Sequence, residues 1–226
     1  MTTAAELVGL LNSTYQGEIF IPGGTRINMA GYQNTRIKSG VTLRSDRGGT
    51  RPGALIYTTD FNRKYALFVI EGSNVRIEGL RIKGPSASEE ESYGVTGIRV
   101  RTAYPAGRPT GLSRQVVIRG NELWAWPGSA ISVTGAIDYA DCFNDLPAEE
   151  PTARPWHVMS KAQAAEIAIV GNHIHHNLRH NLGYGVVVGS GAYAMIQANT
   201  FEYNRHAVAS SGSPYRDRPS GLVFRW

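Results

Sequence analysis

Hydrophobic and polar residues alternate with a period of two through much of this chain. Four eight-residue stretches share one pattern, with an apolar residue at positions one, three and eight and glycine or alanine at position five. A period of two places alternate side chains on opposite faces of a strand, whereas a helix repeats every 3.6 residues. The four stretches therefore predict short strands with one buried face: VRIEGLRI from Val75, VVIRGNEL from Val116, IAIVGNHI from Ile167 and AMIQANTF from Ala194.

These stretches are copies of one repeat. A degenerate earlier copy, VTLRSDRG, begins at Val41, and successive copies then start 34, 41, 51 and 27 residues apart. Each of the four later copies is followed by a second strand-like run, which is TGIRV, GSAISV, YGVVVG or RHAVAS. A constant unit separated by connections of variable length is typical of a solenoid in which each repeat forms one coil. We therefore predict stacked coils of short parallel strands.

Asparagine occupies position six in three of the copies, as Asn121, Asn172 and Asn199. A single asparagine at such a place is an ordinary turn residue. Stacked at equivalent turns, however, the side-chain amides can bond to one another and to the backbone. Three asparagines in one register therefore predict an internal ladder along the solenoid.

The N-terminal part of the chain contains the segments EIFIPGGTR, IKSGVTLRSDRGG and LFVIEGSNVRIEGLRIKG. Together with the repeat, they make residues 18–210 resemble the right-handed parallel β-helix proteins of the pectate-lyase-like superfamily. The resemblance implies an all-β fold, a right-handed parallel β-helix with a short N-terminal capping helix. Residues 3–12 fit this helix because Leu7, Leu10 and Leu11 have helical spacing.

The predicted organisation is a single β-helix domain over residues 1–226. It comprises the capping helix at 3–12, the coils at 18–210, a long loop insertion at 134–165 and a C-terminal tail at 211–226. The last coil of a solenoid exposes unpaired backbone groups, and the tail contains the apolar run GLVFRW from Gly221. We expect this run to pack over the open end or to join two chains there, with a homodimer as the favoured outcome.

Composition and charge narrow the choice of partner. The 226 residues carry a formal charge of +5, and the basic side chains are scattered singly rather than clustered. This pattern favours an acidic polysaccharide over nucleic acid, which selects basic patches. No apolar run approaches the roughly 18 residues of a membrane-spanning helix, so no membrane partner is predicted. The N-terminus also lacks the features of a signal peptide, so the chain is either cytoplasmic or secreted after loss of a leader.

The segment GNHIHHNLRHNLGYGVVVG, from Gly171, is rich in histidine. Ile174 continues the inward positions of the repeat, so His173 and His175 point outward. Two histidines two residues apart could suit a metal ion, but no cysteine or carboxylate lies near them in the sequence to complete a ligand shell. We interpret both as exposed, solvated histidines and predict no metal site there.

The turn that follows these histidines leads into the strand YGVVVG. The family resemblance implies that this strand belongs to the sheet whose outer face binds saccharide. Stacked coils lie about 4.8 Å apart, so the equivalent turn of the next coil, in EYNRHAVAS, lies beside it. We therefore expect the two turns to form a site, with His180, Tyr184, Arg205 and His206 as catalytic residues and Arg179 and Tyr203 as substrate-binding residues.

The chemistry of this cluster suits β-elimination from an acidic sugar. Histidine can act as a general base or acid, tyrosine can protonate a leaving oxygen, and arginine can neutralise a uronate carboxylate. Hydrolysis would instead use two carboxylates across the scissile bond. The insertion could supply these, or a Ca²⁺ site from Asp138, Asp141 and Asp145, although its spacing lacks the glycine of an EF-hand. No other cofactor is predicted.

Outward residues of the same sheet would form the floor of a substrate groove. Arg99 and Arg101 alternate with apolar residues, so both arginines face out as substrate-binding residues. Trp124 and Trp126 come on the preceding turn, where an indole can stack on the face of a sugar. We therefore predict substrate contact for both tryptophans as well.

Two functions of different classes remain open on the sequence. No segment matches the catalytic motifs of pectate lyases, alginate epimerases or polygalacturonases, so the resemblance implies the fold and the reaction depends on the predicted cluster. The first interpretation is a lyase or hydrolase that acts on an acidic polysaccharide in a groove along one parallel sheet. The alternative is a non-catalytic β-helix that binds glycans or has a structural role.

Overall fold

The computed structural model of the chain is a parallel β-helix with a short helix at its N-terminal end. It describes residues 2–61, 65–85, 94–101, 113–134, 166–179, 181–189, 192–211 and 221–225. Helix α1 spans Ala4–Asn12, and the described strands form three parallel sheets that run the length of the solenoid. The predicted all-β solenoid is therefore confirmed.

The chain visits the three sheets in turn, so each sheet collects every third strand. The first sheet contains β1 Gly17–Phe20, β4 Val41–Arg44, β7 Val75–Glu78, β10 Val116–Arg119, β13 Ile167–Val170, β16 Tyr193–Gln197 and β19 Gly221–Arg225. The second sheet contains β2 Arg26–Asn28, β5 Leu55–Tyr57, β8 Arg81–Lys83, β11 Glu122–Trp124, β14 His173–His175 and β17 Thr200–Glu202. The third contains β3 Thr35–Ile37, β6 Ala66–Ile70, β9 Thr96–Arg101, β12 Ser129–Thr134, β15 Tyr184–Gly189 and β18 His206–Ser211.

The pairing registers reproduce the repeat that the hydrophobic pattern predicted. Val75 pairs with Val116, which in turn pairs with Ile167 across the longest interval between copies. The first residues of successive copies thus lie at equivalent places in neighbouring coils. The insertion between β12 and β13 therefore changes the length of one connection and leaves the register of the strands intact.

Position five of the repeat is glycine or alanine because its backbone is left-handed. Gly79, Gly120 and Gly171 have φ values of 63°, 63° and 62°, and the equivalent Ala198 has 53°. Glycine adopts this region without steric cost, and alanine is the smallest side chain that can follow it there. This residue makes the tight turn between the first sheet and the second, which explains why both strands of the repeat keep a fixed separation.

The predicted asparagine ladder is present in the turn after the first sheet. Asn121 Nδ2 donates to Asn172 Oδ1 at 3.1 Å, and Asn172 Nδ2 donates to Asn199 Oδ1 at 2.9 Å. Asn121 and Asn172 are 0% and 1% exposed, so the ladder satisfies backbone groups that water does not reach. A second ladder, between Asn177 and Asn204 at 2.7 Å, follows the second sheet and had no counterpart in the sequence prediction.

The two ends of the solenoid are covered differently. Helix α1 begins at a capping box, in which Thr3 and Glu6 exchange side-chain and backbone hydrogen bonds, and it buries Leu7 and Leu11 against the first coil. At the other end, β19 adds to the first sheet by pairing in parallel with β16. The backbone of the apolar run in the tail therefore covers the end of one sheet. No helix among the described residues is both long and apolar enough to cross a membrane.

Candidate functional site

Two predicted elements fall outside the residues that the structure describes. One is His180, the first of the four predicted catalytic residues. The other is the insertion beyond Thr134, which holds the acidic residues Asp138, Asp141 and Asp145 of the possible Ca²⁺ site. Both remain predictions. Apart from Trp126, the other predicted site residues lie on the outer faces of the third and second sheets or in the turns beside them.

Three of the predicted catalytic residues lie together where β15 and β18 begin. Tyr184 and His206 are register partners in these neighbouring parallel strands, so backbone pairing holds the two side chains next to each other. Their rings stack with centroids 5.4 Å apart and planes inclined by 12°. The two turns thus meet as expected at Tyr184, Arg205 and His206, and the catalytic role of these residues remains a prediction.

Arg205 orients the tyrosine. Its Nη1 donates to the phenol oxygen of Tyr184 at 3.2 Å and also to the backbone oxygen of Asn181. The guanidinium carbon lies 5.9 Å from the centre of the Tyr184 ring. Within the described part of the chain, Nε and Nη2 of Arg205 make no hydrogen bond. The arginine therefore holds the phenol in place and keeps donors for an anionic group.

Arg179 lies in the turn that leads to Tyr184. The turn is closed by the backbone N–H of Leu182, which donates to the Arg179 oxygen at 3.2 Å. Nη1 of Arg179 is buried and makes no hydrogen bond to any residue that the structure describes. A buried donor without an acceptor costs about 1–3 kcal/mol, so the turn holds Arg179 at the expense of one unsatisfied donor.

Outward residues of the third sheet form a floor that changes along the solenoid axis. Arg99, Ser132, Val187 and Ala209 are register partners on successive strands. Long cationic side chains on β9 thus give way to small side chains on β15 and β18, over about 10 Å from β9 to β15. The partial burial of Arg99 fits its predicted outward orientation. The small side chains then form a shallow floor between this arginine and the Tyr184–His206 pair.

The third sheet differs from the other two in charge. Its six strands carry Arg36, Arg99 and Arg101 and no aspartate or glutamate, whereas the strands of each other sheet contain two glutamates. One carboxylate lies at its edge, where Glu71 contacts Arg36 at 3.3 Å and Arg101 at 3.9 Å. The outer face of the third sheet therefore favours an anionic ligand among the surfaces that the structure describes.

The two predicted tryptophans point in opposite directions. Trp126 is fully buried, and its indole N–H donates to the backbone oxygen of Ile82 at 3.2 Å. A ring without exposed surface has no face for a sugar, so the expected substrate contact of Trp126 is wrong. Trp124 is partly exposed, but it is the last residue of β11 and stacks on His175, with ring centroids 5.7 Å apart. It therefore belongs to the second sheet and lies apart from Arg99 and Arg101.

Histidines and glutamates from three coils meet on the outer face of the second sheet. His175 Nε2 lies 3.2 Å from Glu122 Oε1, and His173 Nε2 lies 3.2 Å from Glu202 Oε2. Ligand atoms of Glu122, His173 and His175 all lie within 4.8 Å of one another, and we call these residues the Glu–His cluster. The expectation of two exposed histidines is wrong for His175, whose side chain is 13% exposed.

Burial disfavours the charged form of the His175 imidazole. It lowers the pKa of His175, and the hydrogen bond to Glu122 opposes this effect more weakly. The other ring nitrogen, Nδ1, lies 2.8 Å from Nδ1 of His176, so one of the two histidines donates to the other. Glu122 in turn has its second oxygen 3.8 Å from Nε of Arg47. His176 therefore orients the ring of His175, and Arg47 orients the carboxylate of Glu122.

Glu122 was missed by the sequence prediction, although the repeat contains its signal. Glu122 occupies position seven of VVIRGNEL and His173 occupies position seven of IAIVGNHI, so the aligned copies already place them on neighbouring coils. No carboxylate lies close to the histidines along the chain, whereas Glu122 is 51 residues from His173 and is its register partner. In a solenoid, the relevant neighbour is one repeat distant.

Tyr203 lies with the histidines of the second sheet. Its ring centroid is 4.8 Å from that of His176, and it is 72% exposed. The predicted cluster is thus divided, with Tyr184, Arg205 and His206 on the third sheet and Tyr203 at the turn between the second sheet and the third.

Comparisons with known proteins add one similarity. No protein-family profile matches the chain, and no curated protein matches it by sequence. Among solved structures, the chain is similar to an alginate lyase from Paenibacillus sp. str. FPU-7, with 14% sequence identity, 99% of this chain and 93% of that chain covered, and a TM-score of 0.36. The assignment of the fold therefore depends on the strand pairing of this chain itself.

Proposed function

We propose that this protein is a polysaccharide lyase of the pectate-lyase-like superfamily, which cleaves an acidic polysaccharide by β-elimination on the outer face of the third sheet. The observation that carries the proposal is the contact between Tyr184, Arg205 and His206 at the edge of a sheet whose strands lack carboxylates. Without carboxylates, these strands cannot provide the acid and base of a hydrolase, but they can provide those of a lyase.

The reaction would divide the proton transfers between the two stacked rings. His206 removes the proton from the carbon next to the uronate carboxylate, and the electrons of this C–H bond form a carbon–carbon double bond. The bond to the glycosidic oxygen breaks, and Tyr184 donates its phenol proton to that oxygen. The imidazolium and phenolate then return to their starting forms by proton exchange with water. Neither step needs a resident cofactor.

The arginines would stabilise the charge that develops in this reaction. Removal of the proton turns the carboxylate into an enolate-like dianion, which a guanidinium at the right place binds more tightly than the ground state. Arg205 has unused donors beside Tyr184, and Arg179 lies in the turn that leads to this tyrosine. Arg99 and Arg101 would bind more distant carboxylates of the polymer along the floor.

The test is to incubate the purified protein with a panel of acidic polysaccharides and to follow ultraviolet absorbance from unsaturated sugars. New reducing ends are measured in parallel. We expect both signals to rise together on at least one polymer. Reducing ends without ultraviolet absorbance would mean hydrolysis. Binding to a polymer with neither signal would mean the non-catalytic glycan-binding protein, and both results would overturn the lyase.

Tyr184→Phe tests the assigned acid with little change in shape. We expect a loss of about 10²–10⁴-fold in kcat, because the leaving oxygen loses its proton donor. The matched control is Tyr57→Phe, which removes a hydroxyl from the outer face of the second sheet near the N-terminal end. An equal loss in both variants, or no loss in Tyr184→Phe, would remove the stacked pair from the mechanism.

A further inference from the structure

The structure places two imidazoles and one carboxylate at the separation that a transition-metal ion needs, and we infer that the Glu–His cluster binds Zn²⁺. The ligands would be His173 and His175 from β14 and Glu122 from β11, which face the same side of the second sheet. This site lies on another sheet from Tyr184 and His206, so the inference is independent of the proposed lyase activity.

The distances suit tetrahedral zinc. With bonds of about 2.0–2.1 Å, two ligand atoms on such an ion lie roughly 3.3 Å apart. Glu122 Oε1 and His175 Nε2 are already 3.2 Å apart, and all three ligand atoms lie within 4.8 Å of one another. The rings of His173 and His175 have centroids 4.3 Å apart, so rotation of the more exposed His173 ring can bring its nitrogen to the ion.

The surroundings favour zinc over a harder cation. Two nitrogen ligands suit zinc, whereas Ca²⁺ and Mg²⁺ take oxygen ligands. The other ring nitrogen of His175 is held by His176, as ring nitrogens of metal-binding histidines commonly are. Arg47 lies near Oε2 of Glu122 and leaves Oε1 directed at His175.

A bound ion would join two coils across the longest connection of the chain. Glu122 lies in the coil before the insertion, and both histidines lie in the coil after it. In the described part of the chain, these coils are otherwise joined by hydrogen bonds, packing and the ion pair between Arg114 and Glu166. Zinc that binds the folded chain more tightly than the unfolded one must therefore raise the unfolding temperature.

The experiment uses the full chain without a polyhistidine tag, after treatment with a chelator. We expect titration calorimetry with Zn²⁺ to show saturable binding that Ca²⁺ and Mg²⁺ do not compete away. Co²⁺ in place of zinc should give the intense visible absorption of a four-coordinate site. At a free zinc concentration of about 100 times the Kd, the unfolding temperature should rise by roughly 5–10 °C.

Two substitutions and two matched controls decide whether these residues are the ligands. Glu122→Gln, which keeps the size of the side chain, and His173→Ala should each raise the Kd by at least about tenfold. Glu78→Gln removes a carboxylate from the first sheet and His206→Ala removes a histidine from the third, so both should leave the Kd unchanged. A Kd within twofold of the parent in Glu122→Gln and His173→Ala, or displacement of zinc by equimolar Ca²⁺, would overturn the inference.

Discussion

The outer faces of the second and third sheets are built on the same repeat but differ in whether their strands contain both positive and negative side chains. On the second sheet, Glu122 and Glu202 each contact a histidine of β14 at 3.2 Å, so the charges are matched within the protein. On the third sheet, the strands contain arginines and no carboxylate of their own. The first arrangement leaves a compact set of ligand atoms, and the second gives a face whose strands carry only positive charge, with Glu71 at its edge in contact with Arg36 and Arg101.

This difference shows how a solenoid separates functions that share one scaffold. Register places the residues of neighbouring coils next to each other on every sheet. Residues at equivalent positions of successive coils therefore form a column along the solenoid axis, and each face consists of several such columns. Glu122 and His173 form part of one column, and Tyr184 and His206 form part of another. Substitution in one column should therefore change one face and leave the other as it was.

The largest effect is expected from His206→Ala. The variant removes the proposed base, so we expect activity to fall by about 10²–10⁴-fold. Because the His206 side chain is exposed, we expect the fold to persist. Initial rates of ultraviolet absorbance and circular dichroism melting would measure the two quantities. The reciprocal variant Glu122→Gln should retain activity within about twofold, and full activity in His206→Ala would break the assignment of the third sheet.

Deletion of residues 221–226 should have the next largest effect. It removes β19 and exposes the edge of β16, whose five paired positions then lose their backbone partners. We expect a lower melting temperature, together with aggregation or loss of the predicted homodimer in light scattering at matched concentration. A truncated chain that stayed monomeric, soluble and equally stable would mean that the end is protected in another way.

Asn172→Ala should lower the free energy of unfolding by about 1–3 kcal/mol without changing the site on the second sheet or the site on the third. Its amide bonds to Asn199 and to the backbone oxygen of Ile118, and the loss leaves buried groups without partners. Urea unfolding gives the free energy of unfolding, and rates per folded molecule should be unchanged. Asn28→Ala, on the outer surface of the first coils, is the matched exposed control. Equal stability of the Asn172 variant and the parent would contradict the buried ladder.

The smallest effect is expected from neutralising the arginine end of the third sheet. Arg99→Gln should raise KM by about 3–10-fold and leave kcat nearly unchanged, because it removes binding that is equal in the ground and transition states. The loss should shrink as salt is added. Arg81→Gln, on the second sheet, is the control. If it raised KM as much, the anion-binding surface would not be confined to the third sheet.

The repeat determined more than the fold class. The apolar positions and the asparagine at position six predicted the strands and the first ladder. Each of these features depends on backbone conformation and burial, which are local properties repeated in every coil. The intervals between copies also determined the register, and with it the contact between Tyr184 and His206.

Tertiary structure decided what the side chains at the turns contact. Trp124 and Trp126 are two residues apart, so alternation places them on one face, yet one is partly exposed and the other is fully buried. The reason is Ala125, whose φ of 62° turns the chain between them and ends the period of two. Nothing in the identity of an alanine predicts a left-handed backbone. That conformation follows from closing the coil, and it determines which tryptophan meets the core.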